Sequence, residues 1–313
     1  MYTIKQPNYI IFGKNSVDSF EFKENSLVIT SKGAKKRNWL DKLKIKDYYL
    51  FDQIESNPSM DNVDKIISEI NQSDISQVIG LGGGSSLDVA KFVAYKIKKF
   101  KILIPTTFGS GSEVTRISVL KINGKKKSFH DDQLFANIAV IDPNFLRDSS
   151  EIIIKNSAID AIAQCTEAFD SKISNTYTKF FCKKAFDILE NAILEEKHDD
   201  LALGSLYSGL GFGNSSTTLG HALSYVYSNE GISHGHALAY TTMVAHKFND
   251  SLFFDRFREI VRKLKFEPIN LKLNLETAAD LILTDRKHLD NNPKIVSKDD
   301  IILLLDEINR LRN

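Results

Sequence analysis

Three stretches of this chain combine residue types and spacings that can do chemistry. The first is Gly82-Gly83-Gly84-Ser85-Ser86-Leu87-Asp88-Val89-Ala90-Lys91, directly after the apolar run Gln77–Leu81. Consecutive glycines let a backbone turn sharply and approach a ligand without a Cβ in the way. A helix starting there would aim free N–H groups and partial positive charge at the turn, which suits a pyrophosphate. The run fits neither the Walker pattern nor GxGxxG, and a tight strand-to-helix turn without ligand has the same composition. The second stretch, Ile104-Pro105-Thr106-Thr107-Phe108-Gly109-Ser110-Gly111-Ser112-Glu113-Val114-Thr115, sets hydroxyls and small residues after another apolar run. The third lies later. Asp160 and Gln164, four apart, share one face of a helix, and His221 and His234 stand 13 apart with His236 two beyond. Three of the seven histidines thus fall close together, beside Gly220, Gly231 and Gly235. A carboxylate and imidazoles brought from separate helices can meet around one divalent cation.

The elements that must position these groups divide the chain in two. Up to about residue 150, short β-branched runs (Ser26–Thr30, Tyr48–Phe51, Gln77–Leu81, Ile102–Ile104, Ile138–Ile141) alternate with helical spacing at 62–70 and 86–98. Such alternation predicts parallel strands joined by right-handed crossovers, a doubly wound α/β domain over residues 1–150. Ligands of open α/β sheets bind at the carboxyl ends of the strands, where both glycine- and hydroxyl-rich stretches would lie. From 151 to 313 the strand signals stop. Helical spacing covers 151–170, 175–195, 199–211, 234–249, 252–264, 275–289 and 298–311, the last with Ser297 as its cap and Asp299 and Asp300 in its first turn.

Composition removes several classes of function. With 41 Lys and Arg against 40 Asp and Glu, the formal charge of +1 offers no field for nucleic acid or an acidic membrane. The two cysteines, Cys165 and Cys182, form no Cys-x-x-Cys pair and read as small buried hydrophobes. No basic-then-apolar leader opens the chain and no uncharged run is long enough to span a bilayer, so the expectation is a cytoplasmic protein.

Five motifs in register give the chain a resemblance. GGGSSLDVAK, IPTTFGSGSEVT, AVIDP (139–143), AIDAIAQCTEAF (158–169) and HALSYVYSNEGISHGHA (221–237) occur in the order found in the iron-containing, group III alcohol dehydrogenases. The resemblance implies an N-terminal Rossmann-like α/β domain, an all-α C-terminal domain as in dehydroquinate synthase-like proteins, and a metal in the cleft between them. It implies a pyrophosphate on Gly83, Gly84 and Ser85, with Thr106, Thr107, Ser110 and Lys127 on the ribose and nicotinamide side. Asp160, Gln164, His221 and His234 take the metal-ligand positions for Fe²⁺ or Zn²⁺. At Gln164 the family normally has a His, and the related glycerol dehydrogenases hold zinc with one Asp and two His.

What the resemblance implies for mechanism is a metal polarising a carbonyl while a nicotinamide delivers hydride, with Tyr225 and His236 as substrate-side catalytic candidates. The segment after the first strand, Thr30–Arg37, has no acid and several cations (Lys32, Lys35, Lys36, Arg37), so NADPH is expected over NADH. The His221–Ala237 string resembles most the phosphonoacetaldehyde reductase branch. Arg116, Lys127 and His236 are the cations expected to meet a phosphonate, and Asn291-Asn292-Pro293 is expected to close over the cleft. A general alcohol or diol dehydrogenase is the alternative inside the family. A dehydroquinate synthase-like lyase or a degenerate non-catalytic member is the alternative outside it. Family members often dimerise, so a homodimer is expected.

Overall fold

The structure, a computed structural model, describes residues 1–195 and 197–311. Its contacts define two compact units, Lys5–Ser150 and a second formed by Met1–Ile4 with the chain from Glu151 onward. Met1–Ile4 group with the second unit, and the α/β unit starts at Lys5.

Eight strands lie in the first unit: β1 (Tyr9–Phe12), β2 (Ser26–Ile29), β3 (Tyr48–Phe51), β4 (Val78–Gly82), β5 (Lys101–Pro105), β6 (Ile117–Ile122), β7 (Lys125–His130) and β8 (Ile138–Ile141). Helices α1 (Lys32–Lys36), α2 (Met60–Glu69) and α3 (Gly84–Lys96) connect them. Six strands form one parallel sheet in the order β1-β8-β5-β4-β2-β3. The central strands β2, β4 and β5 are buried along their whole length, as parallel strands covered on both faces must be. Two apolar layers sit against the sheet, one with Leu27, Val63, Ile66, Leu87 and Leu103, the other with Val28, Trp39, Ile79, Ile102 and Phe145.

The hairpin β6–β7 was not among the expected strands. Its signal was present, an Asn123-Gly124 pair with both residues at positive φ (50° and 76°), the dipeptide suited to a two-residue turn between antiparallel strands. Strand β1 also lay outside the expected set. Its run Tyr9–Phe12 is apolar, but it is short and lies at the sheet's edge with Tyr9 67% exposed.

The second unit is helical among the described residues: α4 (Glu151–Asp170), α5 (Thr176–Glu195), α6 (His198–Phe212), α7 (Leu219–Asn229), α8 (His234–Phe248), α9 (Phe254–Leu264), α10 (Leu275–Leu283), α11 (Arg286–Asn291) and α12 (Lys298–Arg310). Helix α4 runs through the middle, its residues from Ala158 to Ala168 almost all buried; a helix apolar on all sides belongs inside a bundle. Spacing predicts one helix over 275–289, but the chain breaks at Thr284, where Asp285 caps a new helix by accepting from the His288 N–H. Cys165 and Cys182 are fully buried free thiols, and burial pushes both up. Among the described residues no helix is long and apolar enough to cross a membrane.

Candidate metal centre and nucleotide loops

In the helical unit, Asp160 on α4, His221 on α7 and His234 at the start of α8 bring one ligand atom each to within 4.8 Å of the others. Both His221 Nε2 and His234 Nε2 lie 3.8 Å from Asp160 Oδ1. The two imidazoles are T-shaped, 5.6 Å between centroids at 71°. The two 3.8 Å separations are a few tenths of an ångström wider than the roughly 3.3 Å between donors that share a tetrahedral cation through bonds of about 2 Å. The donor set suits a borderline ion such as zinc or ferrous iron.

The second ring of contacts explains why the donors face inward. Glu167, one helical turn beyond Gln164, has its Oε2 2.7 Å from His221 Nδ1 and accepts the Thr218 N–H at 3.0 Å. That leaves Nε2 as the nitrogen turned to Asp160. Burial would raise Glu167, yet the His221 imidazole and the Thr218 N–H hold it below its ordinary value. Burial likewise works against the His221 cation, but the Glu167 and Asp160 carboxylates outweigh it and lift the imidazole to about 9.

Glycine makes this approach possible. A Cβ on Gly220 would lie 2.1 Å from Glu167 Oε1, and one on Gly235 would lie 2.1 Å from the Asn156 carbonyl oxygen. Gly220 and Gly235 are therefore points of close approach, whereas Gly231, with φ 94° and nothing within 4 Å of a Cβ, serves the turn between α7 and α8.

Gln164 is 5% exposed and donates from Nε2 to Asp160 Oδ1 at 2.9 Å, while its Oε1 finds no partner among the described residues. The amide thus sits beside the shared oxygen, and a half-turn of it would present Oε1 instead. Tyr225, one turn after His221 on α7, is half-buried. His236 is not brought to the cluster. Two residues after His234 on one helix it points to another face, its Nε2 2.6 Å from the Glu267 carbonyl oxygen and its ring 5.2 Å from Phe266.

Two features of this site lie outside the expectations. Glu167 reads in the sequence as one more polar residue of α4. His288 on α11 places its ring 6.2 Å from that of His221 and 6.0 Å from that of Tyr225. The only sequence clue to it is the Asp285-x-x-His288 spacing. Nor do Asn291 and Asn292 form a lid. They are 7% and 0% exposed, Asn291 Nδ2 donating to the Ser215 and Thr217 carbonyls and Asn292 exchanging amide bonds with Asn249.

In the α/β unit, the register of β4 on β5 sets Gly82 beside Pro105, and the Thr106 N–H donates to the Gly82 carbonyl at 3.0 Å. The glycine and hydroxyl stretches therefore leave the sheet together. A Cβ on Gly83 would lie 3.0 Å from Thr107 Oγ1, and one on Gly84 2.9 Å from Ser110 Oγ, so a side chain at either would make the hydroxyl loop give way. Helix α3 starts there with no side chain capping it and no acid in its first turn, and Ser85 is its second residue. Such a terminus suits a phosphate.

The second loop is clamped from below. The fully buried Lys91 donates to the Ser112, Thr115 and Ile117 carbonyls, and Asp88 accepts from Ser112 Oγ and the Val119 N–H. At the ends of β2 and β3 a cleft of about 570 Å³ is lined by Ser31, Lys32, Gly33, Glu55, Asn62 and Lys65. Arg37 does not line it; its guanidinium lies over Trp39 and donates to the Asp148 carbonyl. Lys127 is exposed on β7 with Nζ 5.4 Å from the Phe129 ring centre, and Arg116 pairs with Asp132 at 2.8 Å.

The comparisons with known proteins agree with both halves. Residues 7–143 match the family model for iron-containing alcohol dehydrogenase, and residues 154–283 match that for the C-terminal part of the same family. A 4-hydroxybutyrate dehydrogenase of Clostridium kluyveri is 34% identical over 209 residues, 58% of this chain and 56% of its own length. A sulfoacetaldehyde reductase of Bilophila wadsworthia is 25% identical over 323 residues, 83% of this chain and 84% of its own. A sulfoacetaldehyde reductase of Bifidobacterium kashiwanohense, solved in complex with NAD⁺, shares the fold with a TM-score of 0.89 at 22% identity over the whole of both chains. Against the first two curated relatives, the match spans only about half of their length.

Proposed function

Because the chain belongs to the iron-containing alcohol dehydrogenase family, we propose that it is a metal-dependent, nicotinamide-linked alcohol dehydrogenase that works as an aldehyde reductase. The observation that carries this reading is the convergence of two imidazole Nε2 atoms on one carboxylate oxygen, each at 3.8 Å. Asp160, His221 and His234 would hold ferrous iron or zinc, with Gln164 beside them. When bound, such an ion is a Lewis acid that polarises a carbonyl or acidifies an alcohol.

The chain's own groups do the rest. Glu167 keeps His221 Nδ1 engaged so that Nε2 faces Asp160. Tyr225 offers its hydroxyl as a substrate contact and as the proton donor to the product oxygen. The backbone N–H groups of Gly83, Gly84 and Ser85 would take the pyrophosphate, and Thr106, Thr107 and Ser110 would line the ribose and nicotinamide side, with Lys127 near. A bound nicotinamide supplies or accepts the hydride at C4, and the protein contributes orientation.

For the cofactor we favour NADPH. The cleft after β2 has Lys32 and Lys65 among its lining, cations that suit a 2′-phosphate, although Glu55 shares it. For the substrate we favour a short aldehyde with an oxyanion at its far end, phosphonoacetaldehyde first. The names of two relatives support this class, since 4-hydroxybutyrate and sulfoacetaldehyde both join a short carbon chain to an oxyanion.

The test is cofactor oxidation by protein loaded in turn with Fe²⁺ and Zn²⁺, against an aldehyde panel that includes phosphonoacetaldehyde. Oxidation that a chelator abolishes and metal restores is expected, with kcat/KM higher for NADPH than for NADH. No oxidation with any aldehyde by metal-loaded protein overturns the reading. Equal efficiency with NADH removes the cofactor preference alone.

A further inference from the structure

His288 is assigned no role by the motifs, yet it lies at the metal cluster with its orientation imposed from two sides. Its Nδ1 is 2.7 Å from Asp285 Oδ2, and the same carboxylate caps α11 by accepting from the His288 N–H. The ring is 7% exposed. Helix α11 is itself anchored at its far end. The Asn291 carbonyl accepts from the Lys172 N–H at 2.9 Å, and the Asn291 amide reaches the Ser215 and Thr217 carbonyls at 2.9 and 3.1 Å. A side chain fixed by buried bonds at both ends of its helix is pre-organised for a contact.

Geometry separates His288 from the ligands. The His221–His234 pair is T-shaped and converges on Asp160, whereas the His221–His288 pair is nearly parallel, 21° apart at 6.2 Å. Among the described residues, the ligand atoms that gather within 4.8 Å of one another are those of Asp160, His221 and His234, and His288 is not one of that group. With Nδ1 taken by Asp285, Nε2 is the ring nitrogen left to meet another molecule, and Tyr225 stands next to it with ring centres 6.0 Å apart.

We propose that His288, oriented by Asp285, is a specificity-determining residue. It hydrogen-bonds a second oxygen function of a substrate whose reacting alcohol or carbonyl oxygen sits at Asp160, His221 and His234. This rests on the dehydrogenase reading and narrows it to short alcohols and aldehydes carrying oxygen at both ends. A site built around a polar partner discriminates strongly against the analogue that lacks it, because its own polar group is then left unpaired.

The test uses metal-loaded protein and three probes of equal chain length: 4-hydroxybutyrate, 1,4-butanediol and 1-butanol. Equilibrium binding, turnover with NADP⁺ and metal content are measured for the wild type and for His288→Phe, His288→Gln and Asp285→Asn. In the wild type, 4-hydroxybutyrate or 1,4-butanediol should bind at least about tenfold tighter than 1-butanol. His288→Phe should lower that ratio at least about tenfold, with a smaller loss in Asp285→Asn and partial retention in His288→Gln, metal content staying constant. No preference in the wild type, or a ratio within about twofold of it in His288→Phe, overturns the proposal. If His288→Phe does not fold, the ratios in the other two variants decide. Preference in binding without turnover of any probe leaves the inference standing and returns the dehydrogenase reading to the aldehyde panel; turnover without preference overturns the inference and leaves that reading standing.

Discussion

Each unit of this chain buries a polar cluster that joins carboxylates to nitrogen bases, and the two are connected to opposite ends. In the α/β unit, Lys91 on α3 gives its protons to three backbone carbonyls and sits 3.3 Å from Asp88, which in turn holds Ser112 and Val119. Every bond of that network closes inside the fold. In the helical unit, Glu167 closes the outer side of His221, but the inner nitrogens of His221 and His234 face one carboxylate oxygen with 3.8 Å between. Like residue types therefore do different work. A closed network fixes a loop, whereas donors that converge without touching leave room for a cation.

The comparison can be broken most forcefully at Lys91. Replacing it with Met strands Asp88 and three carbonyls in the interior, and should lower the unfolding free energy by about 3–5 kcal/mol in denaturant titrations. Metal affinity at the helical cluster should stay within about twofold. A large fall in metal affinity together with retained stability would reverse the roles assigned to the two clusters.

Glu113, buried beside Lys91, sharpens the same contrast through pH. Burial lifts its carboxyl to about 7, against the help of a backbone hydrogen bond and of Lys91. The folded chain then keeps a proton that the unfolded chain releases near 4.5, so stability should fall as pH rises from about 4.5 to about 7. The full difference is up to about 3 kcal/mol. Glu113→Gln should flatten that part of the stability profile and be the more stable protein above pH 7. An unchanged slope would show that the cluster is not closed as described.

At the open cluster the effects should appear in ligand affinity. His234, whose side chain is 35% exposed, has little to lose in packing. His234→Ala should weaken Zn²⁺ or Fe²⁺ binding at least about a hundredfold in chelator competition, and change the stability of metal-free protein by less than about 1 kcal/mol. Smaller still, Glu167→Gln should cost about tenfold to a hundredfold in metal affinity, since it removes an outer carboxylate and keeps the ligands. Equal metal affinity in Glu167→Gln and wild type would mean that His221 needs no orienting partner.

Much of this could be read before any coordinates. The strands β2, β3, β4, β5 and β8 are apolar runs bounded by turns, and their spacing with helices calls for a parallel sheet. Local composition suffices for β2, β4 and β5, because a strand buried on both faces has no alternative but to be apolar throughout, and β3 at the sheet's edge is apolar as well although Tyr49 and Leu50 are exposed. The hairpin β6–β7 escapes that rule, as its residues face both core and water. The converging residues Asp160, His221 and His234 were legible as types and by motif. His236, equal to them in type, was not separable, since only the rotation of α8 decides which of two histidines faces the cluster. Asn291 and Asn292 look like loop residues in sequence and prove to be buried anchors, because their partners are backbone carbonyls far away in the chain.

The sequence by itself thus determined the division into an α/β and a helical half, the two loops that leave adjacent strand ends, and the stock of possible ligands. These depend on residue type and near spacing, which period and turn chemistry govern. Only the tertiary structure decided which imidazoles converge, that Glu167 turns His221 inward, and that Asp285 and two asparagines hold His288 beside Tyr225. Those relations join residues 54 positions apart for Glu167 and His221 and 76 apart for Asn291 and Ser215, and their physical cause is close helix packing, permitted at Gly220 and Gly235 where any side chain would collide.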